Sequence, residues 1–171
     1  MGVNQRAQIV MTPAEVDAFL QAPRKITVAS LGPTGHPHLV AMWYGFVDGA
    51  LCFETKSKSQ KAVNLRRDPR ISCLVEDGEI YEELRGVSME GTAEVIDDPD
   101  FLWRVGVSVF ERYVRPYGEE HRPAVELMLR KRVAIRVNVE RVRSWDHRKL
   151  GMSASSYPTA AGALDPRRLN G

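Results

Sequence analysis

Cysteine, histidine, net charge and long apolar runs are all scarce in this chain of 171 residues. Its two cysteines, Cys52 and Cys73, form no C-x-x-C pair and have no histidine at zinc-ligand spacing. Both lie in apolar, strand-like runs, so buried free thiols in a reducing compartment are expected. Of the four histidines, His36 and His38 flank Pro37, and no carboxylate or cysteine stands at ligand spacing. No metal is expected. A formal net charge of +2 lacks the basic excess of a nucleic-acid-binding face. No apolar run approaches the roughly eighteen residues of a membrane-spanning helix, and the N-terminus lacks the apolar core of a signal peptide. A cytoplasmic protein without a membrane span is expected. The phosphate-binding patterns G-x-x-x-x-G-K and G-x-G-x-x-G are also missing.

What is present fits one domain. Hydrophobic residues make up 43% of the chain, enough for a sizeable core. The domain is expected over residues 1–150, and a flexible tail rich in Ser, Ala, Pro and Gly over 151–171. Residues Met1 to Met11 read as a loose lead-in. Thr12, Pro13 and Glu15 then form the start signal of a helix that Pro23 ends. Strands are expected over 24–31, 38–47, 50–55, 70–77, 86–96 and 133–146, with helices over 59–67, 100–114 and 122–132. The run 38–47 is apolar on both faces and reads as one strand buried on both sides. Asp48-Gly49 is a hairpin turn. About six strands with short links give a mainly antiparallel, mainly β domain, and a closed or split barrel removes its exposed edges.

The stretch FETKSKSQKAVNLRRDP, Phe53 to Pro69, departs from an ordinary loop. Thr55, Lys56, Ser57, Lys58, Ser59 and Lys61 bring three lysines and three hydroxyls together at the start of a helix. With Ser59 as N-cap, the first N–H groups of that helix point into the loop, and a helix N-terminus attracts anions. Lys61 in the first turn opposes the helix dipole unless an anion comes between. The donor set suits a phosphate. A solvated loop is the plain alternative. Elsewhere, Met42 and Trp43 read as core or as pocket lining. Trp145, apolar in a charged strand, points to a site or a subunit interface. Asp77, Glu79, Glu82 and Glu83 read as a solvated acidic link, and Asp146 with Lys149 as a surface pair. No nucleophile–base set stands out, which suits an enzyme whose cofactor carries the chemistry.

In order and spacing the chain resembles the flavin-binding split-barrel superfamily typified by pyridoxamine 5′-phosphate oxidase. The family pattern F-x-T-N-x-x-S-R-K, followed by an N-P or D-P stop, aligns without a gap. Phe53, Thr55, Ser59, Lys61 and Pro69 coincide with it. The segments HLVAMW, EGTAEV and VRSWD resemble further family strands, so the likeness covers most of Pro23 to Leu150. It implies an FMN-binding-like split barrel. Thr55 and Lys61 would touch the ribityl-phosphate arm, and the strand His38, Leu39, Val40, Ala41, Met42 and Trp43 would lie along the ring.

The departures point to one branch. His38 and Trp43 stand where the oxidase strand has arginine and lysine, Gln60 replaces the arginine of S-R-K, and HRKLG replaces the late oxidase signature. The chain is more similar to the mostly actinobacterial deazaflavin reductases, which use coenzyme F-420, and Arg85-Gly86 before a strand resembles that branch. The resemblance implies a homodimer with the cofactor at the interface. Lys56, Ser57, Lys58, Ser59 and Lys61 would hold its phosphate and acidic tail, with Arg85 and Trp145 also at the site. Hydride would pass to a conjugated small-molecule acceptor, and the second hydrogen would come from solvent or an acid. FMN is the alternative cofactor. A non-catalytic carrier of haem, flavin or a tetrapyrrole is the alternative function.

Overall fold

A computed structural model describes residues 5–151. The tail expected over 151–171 lies outside the described residues except for Gly151. Seven strands form one antiparallel sheet: β1 (Ile26–Leu31), β2 (Pro37–Met42), β3 (Gly45–Val47), β4 (Ala50–Lys56), β5 (Arg70–Asp77), β6 (Arg85–Ile96) and β7 (Arg132–Asp146). Their spatial order is β2-β1-β5-β6-β7-β4-β3.

The single strand expected over 38–47 is in fact two, and they occupy opposite edges of the sheet. Only Trp43 and Tyr44 join them. Three peptide steps reach at most about 11 Å, so the two edges meet there and the sheet curls into a split barrel. Side-chain demands on Tyr44 explain the break. Its ring is fully buried, its hydroxyl donates to the Leu20 carbonyl at 2.8 Å, and the Arg112 guanidinium lies 4.3 Å above the ring. The expected burial of both faces also fails. Along β2 exposure alternates, with Leu39 65% exposed and Trp43 just beyond the strand 47% exposed, because an edge strand has only its inner face against the core.

Alternation builds two cores. Ile26, Val28, Phe53, Val75, Val87, Val133 and Ile135 fill the inside of the curl. Val47, Cys52 and Ala134 point outward against Phe101, Val105 and Val109 of the helix Pro99–Tyr113. Both thiols are buried and free, and burial raises their pKa to about 11 at Cys52 and about 12 at Cys73.

Among the described residues five α-helices surround the sheet: α1 (Gln5–Gln8), α2 (Pro13–Gln21), α3 (Gln60–Arg67), α4 (Pro99–Tyr113) and α5 (Arg122–Leu129). The expected helix start is present as a reciprocal capping box between Thr12 and Glu15. The lead-in is more fixed than expected. Met11 is buried, its N–H donates to Ser144 Oγ at 3.1 Å, and the Ile9 carbonyl accepts from the Asp146 N–H at 2.7 Å. The last helix is shorter than expected: Lys131 takes a left-handed conformation (φ 59°), so residues 130–132 become a turn and the start of β7. Among the described residues no helix is long and apolar enough to cross a membrane.

Candidate functional site

Helix α3 lies across one end of the curl, where β1, β4 and β6 end and β2, β5 and β7 begin. Its N-cap is Ser59, whose hydroxyl accepts from the Ala62 N–H at 3.4 Å. The N–H groups of Gln60 and Lys61 have no partner within the helix and face the loop. Around that point Thr55 Oγ1 lies 3.1 Å from Ser59 Oγ, and Lys61 Nζ donates to Thr55 Oγ1 at 3.1 Å. Two hydroxyls, one ammonium and two backbone donors therefore meet in a small volume. Thr55 is buried and Lys61 half-buried, whereas Lys56 and Lys58 are exposed and Ser57 is intermediate. Burial first, and then the Arg132 guanidinium, lower the Lys61 pKa, while Glu54 acts in the opposite direction.

Arg132 is the residue that sequence reasoning missed. It stands directly opposite Lys56 across the β4–β7 pair. Its Nη1 donates to Glu54 Oε2 at 2.6 Å, and its Nε is buried without a hydrogen-bond acceptor. Glu54 is itself buried, and desolvation raises its pKa against the pull of Arg132 and Lys61. Only the long-range pairing of β4 with β7 brings these residues together, so no local signal could have found Arg132.

The strand expected to carry the ring begins at the same end. His38 stands opposite Ser30. Ser30 Oγ accepts from Asn64 Nδ2 at 3.1 Å, and Asn64 Oδ1 accepts from Gln60 Nε2 at 2.8 Å. This chain ties the first turn of α3 to β1 beside β2. His38, Val40 and Met42 share the inward side, while Leu39 and Ala41 share the outward one. Trp43, at the far end of β2, stacks on Tyr113 with centroids 4.8 Å apart and planes 5° from parallel.

Arg85 and Trp145 are not brought to the lysine loop within one chain. They sit at the opposite end of the sheet. Arg132 and Trp145 are thirteen positions apart along β7, a span of about 40 Å in an extended strand. Trp145 packs on Gly86, where a Cβ would lie 2.4 Å from Trp145 Cζ2. The Arg85-Gly86 pair thus has a packing reason. Trp145 also lines an apolar cavity of about 1160 Å³ with Met11, Leu20, Phe46 and Met89. Arg85 Nη2 donates to Asp77 Oδ2 at 2.6 Å, beside Arg24 at 3.1 Å. Burial raises the Asp77 pKa, but the Arg85 and Arg24 hydrogen bonds prevail and the net shift is downward.

The expected solvated acidic link therefore divides, since Asp77 is clamped by two arginines and Glu82 is buried. Asp146 is buried rather than on the surface. Its partner is Arg148, whose Nε donates to Oδ1 at 2.8 Å, while Lys149 reaches Glu15 at 2.6 Å.

A curled antiparallel sheet with a donor-rich strand–loop–helix at one end is the framework of flavin-type split barrels. The pyridoxamine 5′-phosphate oxidase family model matches residues 12–146, and the chain belongs to that family. It is similar to a conserved hypothetical protein of Mycobacterium tuberculosis, at 56% identity over 91% of this chain and 98% of that one, with a TM-score of 0.85. An F-420 reductase is 26% identical over 77% of this chain and 98% of that one, with a TM-score of 0.58. The haem storage protein HutZ of Vibrio cholerae shares the fold at 16% identity, covering 78% of this chain and 96% of that one, with a TM-score of 0.61. No curated protein matches the chain.

Proposed function

We propose that the protein is a deazaflavin-dependent reductase that holds coenzyme F-420 by its phosphate at the N-terminus of α3. The observation that carries this reading is the convergence of Thr55, Ser59 and Lys61 with the first N–H groups of that helix. The donor chemistry fits a phosphate group, which needs several N–H and O–H donors and at least one full positive charge. Lys56, Ser57 and Lys58 extend the positive field to an acidic tail, which FMN lacks. Likeness to an F-420 reductase supports this choice of cofactor.

When bound in reduced form, the coenzyme would supply a hydride to a conjugated small-molecule acceptor. The chain's own residues bind and orient. His38, Val40 and Met42 are half-buried, with Val40 and Met42 against the core, and the strand they share with Leu39 and Ala41, ending at Trp43, would lie along the ring. Because Arg85 and Trp145 lie about 40 Å of strand away from the lysine loop, they would join the same site only if a second copy supplied them. We therefore read the protein as an isologous homodimer with two interfacial sites, the commonest arrangement of soluble oligomers. Exposed Leu39 and Trp43 agree with an outer face that a partner covers.

The test is to purify the protein, identify the bound small molecule by absorbance and mass spectrometry, and measure its oxidation by conjugated acceptors. A deazaflavin that turns over is expected. A copurifying flavin or haem, or a bound deazaflavin that no acceptor oxidises, overturns the reading. Light scattering tests the dimer. A monomer that retains cofactor at micromolar concentration contradicts it.

A further inference from the structure

We propose that the apolar cavity of about 1160 Å³ between the lead-in, the β3–β4 hairpin and β7 binds a neutral, largely apolar small molecule that carries a hydrogen-bond acceptor such as a carbonyl. The site lies toward the far end of β7 from the lysine loop, and it does not depend on which cofactor the α3 end takes. The cavity opens through a gap in the sheet. β4 pairs with β7 only as far as Leu51–Val137, and the lead-in rejoins β7 at Ser144 and Asp146. From Asn138 to Arg143, β6 is the only strand beside β7 among the described residues. Behind the gap, Met11, Leu20, Phe46, Leu51 and Met89 supply apolar walls.

A β-bulge keeps the β7 wall free of charge. Side chains alternate along a strand, so after Val137 and Val139 the next on the core side would be Arg141 and Arg143. Gly91 instead pairs with Val139 and Glu90 with Arg141, which leaves Glu140 as an extra residue in β7. The core-facing set is thereby shifted by one. Val142 stands opposite Met89 and Ser144 opposite Val87, both core residues, while Arg141 and Arg143 both pair with Glu90. Gly91 permits this, because a Cβ there would overlap the Asn138 carbonyl. Val139 and Val142 line the cavity yet are 40% and 47% exposed. Neither is buried, so the shift serves the cavity rather than the packed core.

Charge decides the class of ligand. The charged residues of the lining are Arg6, Asp17 and Arg143, and all three are exposed and so stand at the mouth. Glu90 already holds Arg143. Arg6 and Asp17 are of opposite sign, and among the described residues neither takes part in an ion pair. No charge inside would compensate a buried ion, and burying one unpaired is costly. Ser144 Oγ accepts from the Met11 N–H at 3.1 Å. Its own proton has no acceptor among the described residues, which leaves one donor for a ligand oxygen. Met11 and Met89 can adapt to an irregular apolar body. The volume suits a molecule at the large end of the range that small-molecule sites take.

Fluorescence titration of the full-length protein with N-phenyl-1-naphthylamine and with its sulfonate, 8-anilinonaphthalene-1-sulfonate, tests this. The two probes share one apolar skeleton and differ by one negative charge. The neutral probe is expected to bind about tenfold or more tightly than the sulfonate. Val142→Lys and Val139→Lys each place a charge in the wall at an exposed edge position, where lysine is readily tolerated. Each is expected to weaken the neutral probe about tenfold while far-UV circular dichroism stays that of the parent. Leu127→Lys, on α5 and outside the cavity, and Lys61→Ala should both leave the neutral probe within about twofold. That last result separates this site from the phosphate cradle, since loss of either leaves the other standing. Equal or tighter binding of the sulfonate overturns the neutral class. Indifference to both valine variants, or an equal loss in Leu127→Lys, overturns the cavity as the site. A neutral-probe affinity that falls as light scattering shows copies associating would make the gap an interface between copies and overturn the proposal.

Discussion

At the α2 end of the sheet the arginines are paired with carboxylates and carbonyls, whereas at the α3 end Lys56, Lys58, Arg130 and Lys131 take part in no ion pair among the described residues. Arg24 and Arg85 share Asp77, Arg148 holds Asp146, and Arg112 donates to the carbonyls of both Leu20 and Ala22. These contacts fasten α2, α4 and the ends of β5, β6 and β7 to one another. At the other end Lys56, Lys58, Arg130 and Lys131 face solvent, and Lys61 finds only a hydroxyl. Matched charges at the first end serve the fold. Unmatched charges at the second leave binding capacity for something outside it.

The comparison can be broken by substitution, and the largest effect is expected where the two regimes overlap. Arg132→Met should destabilise the protein by about 3 kcal/mol, because it strands the buried Glu54 carboxylate. Arg132 is 26% exposed, which holds the effect to the low end of that class. Adding Glu54→Gln should restore much of the loss, and denaturant melts of the two variants measure it. An Arg132→Met protein as stable as the parent would show that Glu54 does not depend on its partner.

At the α2 end, Arg112→Met should cost about 1.5–3 kcal/mol by leaving the Leu20 and Ala22 carbonyls short of a charged donor. Gly86→Ala should cost about 1–3 kcal/mol by driving a methyl into the Trp145 ring, and an altered Trp145 fluorescence should accompany it. Both are read from urea midpoints.

The smallest effect is the sharpest contrast. Lys61→Ala should leave the stability of the ligand-free protein unchanged or slightly raised, because the lysine opposes its own helix dipole. Its pKa is lowered in the folded state, so the unfolded chain binds the Lys61 proton more tightly. The wild type should therefore gain stability as pH rises through the lowered Lys61 pKa toward the ordinary 10.5, relative to Lys61→Ala. Melting temperatures of the two proteins at neutral and alkaline pH would show this. A gap that does not change with pH would place Lys61 among the structural cations.

The parts of this arrangement that were legible in sequence are local ones. The Thr12–Glu15 capping box and the Ser59 cap each lie within one helical turn, so residue type and spacing were sufficient. The long strands β6 and β7 were legible from alternation. The break at Trp43-Tyr44 was not, because residues 39–47 are almost wholly apolar and Gly45 alone is a weak signal for a break. What divides them is the burial of Tyr44 beneath Arg112 and its bond to Leu20, contacts that exist only after folding. In the candidate site, Thr55, Ser59 and Lys61 could be read together because seven residues contain them all. Arg132 and Glu54 are 78 positions apart in sequence, and only sheet register makes them neighbours.

The most direct measurement of the central claim is a fluorescence titration of F-420 and FMN against the wild type and Lys61→Ala, at low and high salt. F-420 should bind more tightly than FMN at low salt, and the gap should narrow as salt screens the exposed lysines. Lys61→Ala should weaken both ligands by about ten- to a hundredfold, as expected for one charge-assisted contact to a phosphate. Tighter binding of FMN at every salt concentration, or an affinity indifferent to Lys61, would contradict the account.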